Sequence, residues 1–287
     1  MVPWDSQSRE LWANKYATGE FLFNEGGATH YVVKGSGPLV ILLHGFFFDH
    51  NLWCKNIDVL AQNFTVYAVD FFGFGFSSRS PTRFTYEMYA NQLLNFMAAL
   101  GIRSASIIGQ SLGAGVGIYF AAKHPAMLER LILVGSAGLP APESLVAKFF
   151  KLPGVGEILL KLPVNTLRKK MLEDIFVCCP KTITADLFEY LTLHHKISGT
   201  IAVMLSIMRS GVVDKLENEI AELGKSSVPT LVVWGRQDKA IPLAVGCDLH
   251  GLLPGSEMAV VDKAGHLPNL EQADEFNSIV TRFLLEA

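Results

Sequence analysis

The stretch "SIIGQSLGAGVGIYFAAKHP", Ser106 to Pro125, decides how the rest of the chain is read. A run containing adjacent isoleucines enters a serine flanked by Gly109 and Gly113, and a small-residue helix pattern leaves it. A sharp strand-to-helix turn crowds the residues on either side of its apex, so small side chains belong there. A serine at that apex is presented beside the amide groups and the positive dipole end of the following helix. Gly-x-Ser-x-Gly by itself is a short and common pattern. Its weight comes from the strand before it, the helix after it and the residues downstream.

Working outward, short apolar runs alternate with helical patterns. "PLVILLHG" (Pro38–Gly45), "FTVYAVD" (Phe64–Asp70), "SASIIG" (Ser104–Gly109) and "LERLILVGS" (Leu128–Ser136) read as buried strands. Asn51–Ala61, Tyr86–Leu100 and Leu112–Lys123 read as helices between them. Continuous apolar strands separated by helices predict a mostly parallel sheet covered by helices on both faces. From Pro140 to about Ser226 the pattern is helical, interrupted by prolines, with no convincing strand. "VPTLVVWG" (Val228–Gly235) and "SEMAVVD" (Ser256–Asp262) resume the strand pattern, and Leu270–Leu285 reads as a closing amphipathic helix. The expected organisation is a core formed by residues 1–139 and 227–287, with a helical cap, 140–226, inserted after the sixth strand of the fold.

Composition narrows the function. The 287 residues are 50% hydrophobic, which suits one large core with a sizeable insertion. The formal net charge of −3, from 24 basic and 27 acidic residues, gives no reason to expect nucleic acid as a partner. Cys54, Cys178, Cys179 and Cys247 form neither a disulfide framework nor a zinc pattern, and free thiols suit a reducing, cytoplasmic compartment. "MVPWDSQSRELWANKY" lacks a basic region followed by an apolar one, so no signal peptide is expected. No stretch reaches 18 uninterrupted apolar residues, so no transmembrane segment is expected either.

A serine hydroxyl needs a base to take its proton, a third group to orient that base, and donors aimed at the developing oxyanion. His266, in "VVDKAGHLPNLEQ", follows the last strand and is the candidate base. Asp238, in "LVVWGRQDKAIP", ends a buried strand and is the candidate acid, with Asp214 in reserve. The amides of Leu112 and Phe46 are the candidate oxyanion donors, with Phe47 as the alternative to Phe46. His44 is read as organising the donor loop, and Asp70 as structural. His194 and His195 are read as surface or packing residues, and His30, His50, His124 and His250 have no supporting context. The His, Asp and Glu residues lack metal-ligand spacing, and "GFG" and "GAG" do not extend to a dinucleotide fingerprint, so neither metal nor cofactor is expected.

The order Ser…Asp…His, with Gly-Gln-Ser-Leu-Gly, the His-Gly-Phe loop and a terminal Gly-His-x-Pro, resembles the α/β-hydrolase superfamily. "DFFGFGFSS" (Asp70–Ser78) and "PAMLERLILVGSAG" (Pro125–Gly138) resemble its segments after the fourth strand and around the sixth. The resemblance covers about Thr29–Gly138 and Val228–Ala287, and it implies the α/β-hydrolase fold with catalytic Ser111, Asp238 and His266. Ser111 argues against relatives that cleave carbon–halogen bonds or epoxides through an aspartate. It favours acyl transfer, with a carboxylesterase of short-to-medium apolar esters as the main expectation. Hydrolysis of C–C bonds in ring-cleavage products is the alternative. Those enzymes often carry Gly-Asn-Ser-x-Gly-Gly and a Trp after the histidine, where this chain has Gln110, Ala114 and Leu267. Further readings are an interfacial lipase, a cofactor-free haloperoxidase or perhydrolase, and a non-catalytic ligand receptor. Phe47, Phe48, Phe149, Phe150 and Leu267 are candidate substrate contacts. The lysine-rich segment Ser144–Leu172 is read as a cap with its apolar face over the site, or as a lid making peripheral contact with lipid.

Overall fold

The protein is described by a computed structural model covering all residues except 1, 25, 80–83, 143–147, 149–150, 163, 212–214 and 287. Eight strands form one sheet: β1 (Glu20–Asn24), β2 (Gly27–Lys34), β3 (Leu39–Leu43), β4 (Thr65–Val69), β5 (Ala105–Gln110), β6 (Leu128–Val134), β7 (Thr230–Gly235) and β8 (Glu257–Val261). Their order is β1-β2-β4-β3-β5-β6-β7-β8. The first two strands join antiparallel, as do β2 and β4, and every later pairing is parallel. The chain therefore has the α/β-hydrolase fold. β5, the strand that delivers Ser111, lies between β3 and β6 and is buried at all six of its positions. That double-sided burial is why the strand reads as a continuous apolar run.

Three helices in the first part of the chain are α1 (Arg9–Tyr16), α2 (Ile57–Leu60) and α3 (Tyr86–Ala99). The next, α4 (Leu112–Lys123), packs against β5, β6 and α3 with almost no exposed surface. Its glycines make this possible by removing side chains where backbones meet. A Cβ added at Gly113 would fall 2.3 Å from the Leu43 carbonyl oxygen, and one at Gly109 would fall 2.4 Å from that of Gly113.

The inserted segment between β6 and β7 carries α5 (Val155–Lys161), α6 (Asn165–Phe176), α7 (Ala185–Leu191), α8 (Thr200–Ser210) and α9 (Glu217–Leu223), with no named strand among the described residues. α10 (Leu243–Leu252), α11 (Pro268–Glu271) and α12 (Ala273–Leu285) complete the chain. The sequence pattern merged the last two helices, and the structure breaks them at Gln272. It likewise divides the expected Asn51–Ala61 helix into a short 3₁₀ turn, His50–Trp53, and α2.

Asp70, at the end of β4, is wholly buried and accepts four hydrogen bonds. Oδ1 takes the backbone N–H and Nδ1 of His50 at 2.8 and 2.9 Å, and Oδ2 takes Nδ1 of His30 and the backbone N–H of Phe76 at 2.7 and 2.9 Å. The aspartate thus ties β2, the turn after β3 and the loop after β4 into one unit, in keeping with its structural reading. His30 and His50 belong to that unit, a role their sequence context did not reveal. Burial alone would lower the titration of His50, but the carboxylates of Asp70 and Asp49 outweigh it and raise it to about 9.

Candidate active site

Ser111 stands between β5 and α4 with φ +53° and ψ −112°. Few non-glycine residues adopt a positive φ, and those that do cluster where the surroundings over-determine the backbone. Here the surroundings are the Ser111 N–H to Val134 carbonyl bond at 2.8 Å and the Ala137 N–H to Ser111 carbonyl bond at 3.1 Å. Both join the elbow to the end of the neighbouring strand β6. Leu112 is the first residue of α4, so its amide belongs to the unpaired first turn of a helix.

Asp238 and His266, 28 residues apart in sequence, come together. Oδ2 of Asp238 lies 2.7 Å from Nδ1 of His266, while Oδ1 accepts the backbone N–H groups of Ala240 and Ile241 at 2.8 and 2.9 Å. A carboxylate only accepts hydrogen bonds, so the shared proton rests on Nδ1 and the lone pair of the imidazole is on Nε2. Both side chains are buried. Gly135 sits beside the pair: a Cβ there would fall 3.1 Å from His266 Nδ1 and 3.5 Å from Asp238 Oδ2. The His266 loop is held to the elbow by Gln110, whose Nε2 donates to the His266 carbonyl at 3.0 Å. The residue preceding Ser111 therefore connects it to the histidine.

His44 acts on the candidate donor loop as its sequence context suggested. Its Nε2 accepts the Phe71 N–H at 3.0 Å, which leaves the proton on Nδ1 to donate to the Gly45 carbonyl at 2.8 Å. Burial, opposed mainly by Asp70, lowers its titration, in accord with a neutral ring. Phe46 and Phe47 are half-buried in the turn that follows, and Phe48 is buried. Leu267 is also buried within the core. Phe149 and Phe150, together with the reserve acid Asp214, lie outside the described residues.

Sequence reasoning missed three contributors from around the insertion. Phe176, the last residue of α6, accepts the His266 N–H at 2.8 Å and stacks near its ring, with centroids 5.7 Å apart. The same ring packs against Phe47 and Phe48 at 6.2 and 5.6 Å. Glu271 accepts from the backbone N–H of Gly265 at 2.6 Å and of Cys178 at 2.7 Å, joining the histidine loop to the insertion. His195 donates from Nε2 to the Phe47 carbonyl at 2.7 Å. His194 and His195 are both wholly buried, so they are interior residues and the surface reading of the pair is corrected. No local motif marks these three contributors, because each acts through packing across a long sequence separation.

His30, His50 and Asp70 form the one group with metal-ligand proximity found among the described residues. Their facing atoms are 2.7–2.9 Å apart and already satisfy one another as donors and acceptor. Those imidazole nitrogens offer protons to Asp70 rather than lone pairs to an ion.

A mostly parallel sheet of this order, with a strained serine elbow after β5 and an Asp–His pair from the loops after β7 and β8, is the arrangement of the α/β-hydrolase fold. A family model of the alpha/beta hydrolase fold matches residues 38–169, just under half of the chain, in agreement with the α/β-hydrolase fold of the sheet. An uncharacterized protein of Mycobacterium tuberculosis (strain H37Rv) is 28% identical over 93% of this chain and 81% of its own length. The 2-hydroxymuconate semialdehyde hydrolase of Pseudomonas sp. (strain CF600) is 27% identical over 96% of each chain. Among solved structures, a meta-cleavage product hydrolase from Pseudomonas fluorescens IP01 superposes with a TM-score of 0.79 at 26% identity, over 93% of this chain and 97% of that one.

Proposed function

We propose that the protein is a serine hydrolase that cleaves short-to-medium, largely apolar carboxylic esters through an acyl-enzyme on Ser111. The observation that carries this reading is the Asp238–His266 hydrogen bond beside an elbow whose serine occupies a strained backbone conformation. In the proposed reaction, His266 Nε2 takes the proton of Ser111 Oγ as the oxygen attacks the ester carbonyl. The amides of Leu112 and Phe46 donate to the oxyanion, and Asp238 stabilises the imidazolium without being protonated itself. Collapse of the tetrahedral intermediate releases the alcohol, which receives its proton from His266. Water, deprotonated by the same histidine, then hydrolyses the acyl-enzyme.

The apolar preference rests on the aromatic side chains beside the pair. Phe176 lies against His266 and the donor turn, and Phe46 packs edge-on against Phe74 with centroids 6.0 Å apart. The insertion supplies Phe176, which supports reading residues 140–226 as a cap. Hydrolysis of a C–C bond in a ring-cleavage product is the second reading, favoured by near full-length similarity to the 2-hydroxymuconate semialdehyde hydrolase. Its nucleophile and base would be the same, so the substrate must discriminate. A panel of p-nitrophenyl esters of increasing acyl length, run beside a ring-cleavage dienone, is the test. The ester reading expects best rates near four to eight carbons, each added methylene contributing up to roughly fourfold until the pocket is filled. A dienone turned over with far higher kcat/KM than every ester would establish the second reading. Rates that climb with chain length and jump at micelle formation would point instead to a lipase with lipid contact through the insertion.

A further inference from the structure

The turn Gly45–Phe48 is closed by the Phe48 N–H to Gly45 carbonyl bond at 3.3 Å, and its third residue, Phe47, has φ +79°. That place in a turn usually takes glycine when φ is positive, because a side chain collides with its own backbone there. A phenylalanine held in this conformation needs outside support. The support comes from the insertion, 148 residues away in sequence.

We propose that His195 is a positioning residue that braces the oxyanion turn, holding Phe47 in its strained conformation through the Nε2–H bond to the Phe47 carbonyl. The inference rests on the serine-hydrolase reading for its catalytic consequence. The His195 ring also stands edge-on to the Phe47 ring, with centroids 4.3 Å apart at 85°, so bond and packing act on the same residue. His195 also meets Trp4 edge-on, again at 4.3 Å, and the Trp4 and Phe47 rings lie 6.0 Å from each other. The backbone carrying it is fastened by the N-terminal segment: Asp5 N–H donates to the His195 carbonyl at 2.8 Å, and the N–H groups of Ser6 and Gln7 donate to that of Lys196 at 2.9 and 2.8 Å. The backbone of His195 and Lys196 is therefore anchored to the N-terminal segment by three hydrogen bonds.

Its protonation suits the task. Burial, with His194 adding to it, pushes the ring's titration well below the usual histidine range. A neutral ring has one N–H, and the carbonyl acceptor assigns it to Nε2. The brace should consequently persist at acid pH. Without it, residue 47 can relax toward negative φ, which turns the peptide groups on both sides, re-aims the Phe47 amide and shifts the turn that carries the Phe46 amide.

Four variants test this: His195→Ala, His195→Gln, Phe47→Gly and the double variant Phe47→Gly/His195→Ala. Three readouts apply: hydrogen exchange of a peptide spanning residues 44–50, the rate of inactivation by a fluorophosphonate, and kcat and KM on p-nitrophenyl butyrate. His195→Ala should speed exchange in that peptide and lower kcat and inactivation about 10- to 100-fold, short of the roughly 10²–10³ expected for deleting an oxyanion donor. KM should change less than about threefold, since the lost interaction belongs to the transition state. His195→Gln, which keeps an N–H donor, should recover most of both effects. Removing His195 from the Phe47→Gly protein should cost much less, because glycine needs no support there. Unchanged exchange, a loss confined to KM, or an undiminished loss in the Phe47→Gly background would overturn the brace. If His195→Ala does not fold, the His195→Gln and Phe47→Gly comparisons still decide it. A wild type unreactive toward fluorophosphonate would overturn the acyl-enzyme reading, and the exchange comparison would then judge the brace by itself.

Discussion

At Ser111 one residue combines three roles: the end of a buried strand, the entry to a helix and the proposed nucleophile. Replacing it with alanine leaves the backbone requirement in place and removes only the hydroxyl, so folding should survive while kcat falls by about 10⁴-fold or more. Asp238→Asn is expected to cost less, on the order of 10²- to 10⁴-fold, because the altered group would present an N–H where His266 Nδ1 now donates. Steady-state kinetics on one ester checks both values, and a fully active Asp238→Asn would remove the aspartate from the mechanism. The positions of the candidate residues Ser111, Asp238 and His266 were legible in the sequence because each follows a strand, in a glycine-marked turn. Gln110, Phe176 and His195 were not. A glutamine's bond to the His266 carbonyl and a phenylalanine's seat against an imidazole are set by tertiary packing, which no local pattern encodes.

Among the elements, β3 to β8 and α4 could be read directly: the burial of β3 to β7 writes itself as apolar runs, and β8, an edge strand with only Val261 buried, still carries the apolar stretch Met258–Val261. The hairpin of β1 and β2 could not. β1 is an edge strand with no fully buried residue, and its mixed pattern, "EFLFN", resembles a loop as much as a strand. The insertion was legible as helical but not as an arrangement, since the bonds joining it to the core, such as Cys178 N–H to Glu271, link segments about 90 residues apart. Gly113 tests the account of α4. Gly113→Ala would drive a methyl group against the Leu43 and His44 carbonyls, at 2.3 and 2.7 Å, forcing helix and strand apart. Urea unfolding should show a loss of about 2–4 kcal/mol, despite alanine's better helix propensity. An unchanged midpoint would mean that α4 is not held as tightly against β3 as described. Gly135→Ala should act differently. Its methyl group would press on the His266–Asp238 pair, so activity should fall by a larger factor than stability alone explains.

For the molecule as a whole, the buried cluster around Asp70 makes stability depend on pH. Burial by itself would raise the Asp70 carboxyl, yet His50 and His30 hold it well below the usual range. His50 titrates at about 9 in the folded protein, against about 6.5 in an unfolded chain. The folded state thus binds this proton more tightly, and the stability it contributes is fully present below about pH 6.5 and is lost as pH rises through about 9. The expected decline is up to about 3 kcal/mol. Urea midpoints at several pH values between 6 and 9.5 should fall with rising pH, and the slope should flatten in His50→Gln. A wild type equally stable across that window would contradict the description of the cluster.

The central claim is that Ser111 forms a covalent intermediate, and intact-protein mass spectrometry with a fluorophosphonate probe tests it most directly. Wild type should gain one adduct, mapped by proteolysis to the peptide containing Ser111. His266→Ala should gain it far more slowly, and Ser111→Ala should gain none. Equal labelling of wild type and Ser111→Ala, or an adduct mapped to another serine, would contradict the account.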